Sequence, residues 1–287
     1  MFREKSRPIA RSDVTTTTRS GRCARHTVRR SHGGASVEPM PASAAPRPGS
    51  PGAPLWDPEA IPAATVVVLR DGGTGLEVLM LRRDKDLSFA GGMWVFPGGR
   101  IDAADHPDGP PDLEAAARVA AAREAMEEAG LALDPATLRR WSHWTPPPES
   151  PKRFSTAFFV APLPDGAGDV VIDDGEIRDH RWLSPDAVLD LRDAGEVGLG
   201  PPTYITLSDL RAHADVAGAM SHAESLGAVE HFATRICLVG DQVVALYHGD
   251  VGYDSGDPDL PGARHRLTMG TCWEYRRDPD REDSGGS

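Results

Sequence analysis

The chain has 287 residues, 39% of them hydrophobic and 26% charged, with a formal net charge of −12; the profile is that of a globular protein with a sizeable core and excludes fibrous and repeat classes. Its longest clean apolar run, Ala64 to Leu69, is strand-sized, far below the roughly 20 residues that span a bilayer, so no membrane partner is expected. Residues 1–50 carry a charge of +7 and the remainder −19, which argues against a polyanionic partner such as nucleic acid for the body of the chain.

Residues 1–55 are rich in Arg, Ser, Thr, Pro, Ala and Gly and lack periodic apolar positions. They cannot offset their ordering entropy and are read as a disordered basic N-terminal extension. Such an extension suits an organelle transit segment or a nucleic-acid arm, and a translation start at Met40 would remove most of it. It has no apolar stretch of the secretory kind. Cys23, Cys237 and Cys272 are too few and too far apart for a disulfide framework or a thiolate metal site; the expected location is cytoplasmic.

Order is predicted from Ile61. Ala64 to Arg70 and Leu76 to Arg83 are strand-like runs separated by Asp71-Gly72-Gly73, a hairpin signal. A helix is expected over 112–129, ended by Gly130 in a left-handed conformation. Strands are expected over 138–144, 154–162 and 179–183. Ser184 and Pro185 then open a short helix to about Arg192 as N-cap and first helical residue. A helix over 208–225, strands over 242–248 and 265–275, and a disordered tail over 276–287 complete the chain. Strands and helices mixed in this order predict an α+β fold. His213, His222 and His231 recur every nine residues; on one continuous helix successive members would lie on opposite faces, so they are read as surface residues.

The chemistry concentrates in Phe96-Pro97-Gly98-Gly99-Arg100 and in Arg123-Glu124-Ala125-Met126-Glu127-Glu128-Ala129-Gly130-Leu131. On a helix Glu124, Glu127 and Glu128 share one face, at i, i+3 and i+4, with Ala115, Val119, Ala122, Ala125, Met126 and Ala129 left to pack on a sheet. Three hard carboxylates beside a glycine loop suit Mg²⁺ or Mn²⁺. A divalent cation so held neutralises a diphosphate and activates water, which is the chemistry of anhydride hydrolysis. The plainer reading is a solvated acidic face with Arg123 and Glu127 paired one turn apart.

At these residues the sequence resembles the Nudix hydrolases, whose signature is G-x5-E-x7-R-E-U-x-E-E-x-G-U, with U aliphatic. The second half matches as REAMEEAGL, with Ala125 at the first aliphatic position. Gly99 and Arg123 are 24 positions apart against fourteen in the signature, so about ten residues within Ile101–Pro111 are inserted, an inexpensive change because loop-closure entropy grows only logarithmically. The signature's first Glu falls on Ala115, next to Glu114, and a supporting carboxylate is lost. The resemblance implies an α/β/α sandwich with a mixed sheet, in a domain over 56–275 whose core is 62–195 and whose extra helix and strands are 196–275. It implies Glu124, Glu127, Glu128 and the Gly99 carbonyl as ligands of Mg²⁺ or Mn²⁺. Catalytic roles fall on Glu124 and Glu128, on Arg123 as the group that orients a glutamate, and on Glu176, in Asp173-Asp174-Gly175-Glu176-Ile177, as a base or further ligand; a surface turn explains Glu176 equally well.

Upstream, Leu79 to Asp84, Gly92 and Phe96 to Gly99 follow the spacing of L-L-T-x-R-S-x3-R-x3-G-x3-F-P-G-G, the motif of coenzyme A diphosphatases. Arg83, Gly92 and the FPGG agree, whereas the Thr, Ser and second Arg positions hold Leu81, Asp84 and Ser88. The insertion, Trp144 and the run Arg153 to Phe159 resemble a larger branch associated with coenzyme A and acyl-CoA cleavage. The expected partner is therefore a small nucleoside diphosphate substrate, CoA or acyl-CoA first, ADP-ribose or NADH second. Arg83 and Arg100 are the candidate phosphate contacts; Arg82 faces the other way on its strand. Trp94 and Phe96 fit either an adenine stack or the core. A Nudix-fold module that binds a nucleotide without cutting it is the rival from another class. Residues after 200 complete the pocket, form a homodimer contact or buttress the sheet.

Overall fold

The computed structural model describes residues 49–50, 53–87, 90–107, 112–173 and 175–278. Most of the basic N-terminal extension, Cys23, Ser88, Asp174, residues 108–111 of the insertion and the tail from 279 lie outside them. The apolar runs form the expected hairpin: β1 (Ile61–Gly72) pairs antiparallel with β2 (Gly75–Arg83), Gly72 opposite Gly75. On its other edge β1 pairs in parallel with β6 (Phe154–Pro162) over its first nine residues. On the hairpin edge β1 changes partner, taking β4 (Gly98–Arg100) at residues 63–65 and β2 from Leu69 onward. This change seats the glycine loop in the middle of the sheet.

β5 (Arg139–Thr145) joins β6, β8 (Glu230–Ala233) runs parallel to β5, and β3 (Trp94–Val95) and β7 (Ile177–Leu183) pair with β2, which makes a mixed eight-stranded sheet. The short β3, β4 and β8, with two to four residues each, are below the length at which alternation is readable.

α1 (Leu113–Ala129) covers one face. Asp112 caps it, its carboxylate accepting from the N–H groups of Glu114 and Ala115 at 2.9 and 3.2 Å. Gly130, at φ +67°, ends it with N–H bonds from Gly130 and Leu131 to Met126 and Ala125. Alanines 117, 120, 121, 125 and 129 pack on Ala64, Val66, Val68, Ala157, Phe159 and Ala161. The buried face differs from the expected one: Ala116, Ala117, Ala120 and Ala121 are fully buried, Val119 is half-buried and Met126 is 48% exposed. An almost unbroken run of alanine gives the pattern too little contrast to set the angle.

The opposite face carries α2 (Pro185–Asp193), α3 (Pro201–Leu210) and α4 (Val216–Ser225), with Val67, Leu69, Val78, Met80, Trp144 and Phe158 beneath them. The result is the expected α/β/α sandwich of the α+β class. The helix read over 208–225 is in fact two, because Asp215 accepts from the Gly218 N–H at 2.7 Å and starts a new helix. β9 (Arg235–Val239), β10 (Gln242–Leu246), β11 (His265–Met269) and β12 (Trp273–Arg277) form a separate antiparallel sheet. The strand read over 265–275 is thus a hairpin, and Arg276 and Arg277 belong to it and not to a tail. Ala245, Tyr247 and Leu267 join this sheet to the second core, so residues after 200 buttress the domain. Among the described residues no helix is long and apolar enough to cross a membrane. Cys237 is free.

The histidine reading holds for His222, which is exposed, and in part for His213, which is half-buried, and fails for His231, which is buried. The break between α3 and α4 lets the His213 and His222 rings meet, tilted, with centroids 4.9 Å apart, both edge-on to Trp141. His231 is buried on β8, its Nε2 2.9 Å from Thr145 Oγ1 and its ring 5.1 Å from that of His143. Arg140 donates to His143 Nδ1 at 2.6 Å, which leaves the ring proton on Nε2, 2.8 Å from Ser155 Oγ. Burial, reinforced by the Arg140 charge, pushes His143 down to about 2 and His231 down to about 4. Both values lie below that of an unfolded histidine, so the unfolded state binds more protons once the pH drops below about 6.5. The stabilising contribution is present above that pH and is lost on acidification. Urea unfolding is expected to show a loss of about 2 kcal/mol per histidine between pH 7 and pH 5; equal stability at both pH values would contradict a neutral buried pair.

Candidate active site

The site is built where α1 crosses β4. Gly99 allows the helix to approach closely, since a Cβ there would overlap the Glu124 carboxylate, and Gly98 lets β4 lie tight against Ala64 and Thr65 of β1. Glu128, 6% exposed, accepts from the Gly98 N–H at 3.0 Å and lies 3.6 Å from Arg83. Arg123 Nη1 reaches Glu124 at 2.9 Å and Glu127 at 3.0 Å. The Arg123 Nε and Nη2 grip Asp105 at 2.9 Å each, and Nη2 also donates to the Arg100 carbonyl at 3.0 Å.

Glu176 comes to the same place from the loop before β7. Asp173 shapes that loop, accepting from the N–H groups of Glu176 and Ile177 at 3.0 and 2.9 Å. Arg83 Nη2 then bridges to Glu176 at 2.8 Å. Burial first, and next the like charges of Glu124 and Glu176, push Glu128 up to about 8 against the opposing Gly98 N–H and Arg83. Burial likewise raises Glu124, against its bond to Arg123.

The residues read from the sequence thus come together, each with a partner that the sequence did not specify. The carboxylates do not point at one centre: Glu124 and Glu127 share Arg123 while Glu128 faces Gly98 and Arg83, and among the described residues no three His, Cys, Asp or Glu side chains form a metal-ligating group. Like charges on adjacent turns repel, and each has taken a guanidinium or N–H partner. The pairing of Arg123 with Glu127 from the plainer reading is present as well. Arg83, expected on a substrate phosphate, is 15% exposed and lies between Glu128 and Glu176. Arg100 takes part through its carbonyl; its guanidinium is 64% exposed and 3.7 Å from Asp102. Trp94 and Phe96 are 4% and 3% exposed in the core and are closed to an adenine.

Sequence reasoning missed Asp105, which is 2% exposed. The available signal was Asp102-Ala103-Ala104-Asp105 inside an insertion of a box that had lost one carboxylate. Cavities of about 470 Å³, beside Arg192 and Trp273, and about 400 Å³, beside Asp71 and Asp165, are lined by none of these residues.

The donors gathered here, four glutamates and the Gly99 carbonyl, are all hard oxygens. A glycine cradle filled by a carboxylate and a buried Glu128 whose charge is incompletely balanced fit a divalent cation, which would return that carboxylate to its charged form.

Residues 60–200 match the NUDIX domain family. The crystal structure of a Nudix hydrolase from Alicyclobacillus acidocaldarius is 28% identical, with a TM-score of 0.51 over 57% of this chain and 96% of that one. The acyl-coenzyme A diphosphatase NUDT19 of Xenopus laevis is 30% identical over 137 residues, 45% of this chain and 35% of that protein. Its namesake from Gallus gallus is 25% identical over 248 residues, 79% of this chain and 63% of that protein. The chain therefore spans less than two thirds of the length of both relatives. With the box residues gathered on this sandwich, residues 60–200 of the chain form a domain of the NUDIX family.

Proposed function

We propose that the chain is a Mg²⁺- or Mn²⁺-dependent pyrophosphohydrolase that cleaves the diphosphate of a nucleoside diphosphate derivative, CoA or acyl-CoA first. The observation that carries this reading is that Glu128 and Glu176 share Arg83, Glu124 and Glu127 share Arg123, and Glu128 and Glu124 lie against Gly98 and Gly99 of β4. Support for the substrate comes from the Arg83, Gly92 and FPGG spacing and from the acyl-CoA diphosphatase names of the two relatives. Residues 62–195 would be the hydrolase core and 196–275 its buttress, in a cytoplasmic protein.

Glu124, Glu127, Glu128 and the Gly99 carbonyl would hold the cation, which supplies charge neutralisation and Lewis acidity at the diphosphate when bound. Glu176, 57% exposed, is open to solvent and can take the proton of an attacking water. Arg83, between two carboxylates, is the cation positioned to pass to a phosphate oxygen once their charge is met elsewhere. Arg123 keeps Glu124 and Glu127 in place.

The test is incubation of the purified chain with CoA, acyl-CoA, ADP-ribose, NADH and dinucleoside polyphosphates in Mn²⁺, with products identified by mass. Adenosine 3′,5′-bisphosphate together with the (acyl-)phosphopantetheine half is the expected outcome. Tight calorimetric binding of a nucleotide with no product in excess metal would replace the hydrolase reading with that of a binding module.

A further inference from the structure

We infer that Asp105, carried by the insertion, is the positioning residue that locks Arg123 and, through it, Glu124 and Glu127. The inference rests on the reading of those glutamates as cation ligands. Three observations lead to it. The position of the signature's first glutamate holds Ala115, which offers no carboxylate. Its neighbour Glu114 is already engaged elsewhere, with Arg118 at 3.2 Å and Arg140 at 2.5 Å. Asp105, eighteen residues before Arg123, meets it side-on with both oxygens at 2.9 Å.

The geometry shows how this works. A guanidinium has five N–H donors in a rigid plane. Here the Nε and one Nη2 donor go to Asp105, the other Nη2 donor goes to the Arg100 carbonyl, and the two Nη1 donors go to Glu124 and Glu127. All five are used, so the plane cannot rotate without breaking several bonds. Asp105 is itself held, 2% exposed in the one-turn segment Ala103–Asp105, with the Asp102 N–H donating to its Oδ2 at 2.8 Å. A loop inserted into the box thus returns the carboxylate that the box lost. It does so from the side of β4, so the glycine strand, the arginine and the acidic helix face are braced together.

The test uses the full chain and reads Mn²⁺ affinity by electron paramagnetic resonance, thermal melting, and kcat and KM. Asp105→Asn is expected to melt cooperatively, to bind Mn²⁺ roughly 10- to 100-fold more weakly, as for partners that orient ligands, and to lose kcat with KM little changed. Arg123→Lys, which keeps the charge but lacks the fork, is expected to give the same loss, and the double variant no more than either single. Glu114→Gln should leave Mn²⁺ affinity alone. A lower melting temperature with wild-type Mn²⁺ affinity and kcat in Asp105→Asn would reduce Asp105 to a loop anchor and overturn the inference. Should that variant not fold, wild-type Mn²⁺ affinity in Arg123→Lys overturns it equally. Mn²⁺ loss in the variants of a chain that hydrolyses no diphosphate would sustain the role of Asp105 while removing the proposed function.

Discussion

Glu128→Gln is expected to lose turnover by on the order of 10³-fold or more, as when a charged group is removed from the centre of a reaction, while melting at or above the wild-type temperature. The two effects have one cause. The Glu128 carboxylate is 6% exposed, and burial together with the charges of Glu124 and Glu176 pushes it up to about 8, so its charge opposes folding. Glutamine has the same shape, and its carbonyl can still accept from the Gly98 N–H that now bonds Oε2 at 3.0 Å. The substitution therefore relieves the fold of a charge that only a cation could use. Steady-state rates and calorimetric melting check it; a variant with wild-type rates would remove Glu128 from the mechanism.

Alanine at the two adjacent glycines is expected to fail in two different ways. At Gly98 the added Cβ would stand 2.6 Å from the Ala64 carbonyl oxygen and 2.8 Å from Thr65 Cα. Both are backbone of β1, the central strand, and cannot give way. Gly98→Ala should cost roughly 1–3 kcal/mol or more, as overpacking does, and should weaken the β1–β4 pairing. At Gly99 the nearest atoms are the carboxylate of Glu124, the free end of a flexible side chain. Gly99→Ala should be accommodated by displacing that carboxylate, with stability within about 1 kcal/mol of wild type and turnover at least roughly tenfold lower. Melting curves and rates measured side by side distinguish the two; a stable, active Gly98→Ala would show that the close contact of β4 with β1 is misplaced, and an unfolded Gly99→Ala that the close approach of α1 to β4 is.

The sandwich was legible because its main elements carry strong local signals. β6 coincides with the run Phe154–Pro162, and α1 begins at a capping Asp112 and ends at a left-handed Gly130. Elements fixed by partners elsewhere were not readable: β4 is three residues of Gly-Gly-Arg made a strand by its pairing with β1, and β8 exists through its parallel contact with β5. The division of α3 from α4 rests on one cap, Asp215, inside an otherwise helix-compatible stretch. At the site, helical spacing correctly put Glu124, Glu127 and Glu128 together on a helix next to the glycine loop. It also offered the Arg123–Glu127 pair, but could not say that Arg83 would take up the charge of Glu128, nor that Asp105 would arrive from the insertion, because tertiary partners leave no periodic trace.

The central claim is that these carboxylates hold a divalent cation, and Mn²⁺ titration of wild type and Glu128→Gln, read by electron paramagnetic resonance of the free ion, tests it most directly. The account predicts saturable Mn²⁺ binding by the wild type and at least roughly tenfold weaker binding by the variant; no binding by the wild type, or equal affinity in both, would contradict it.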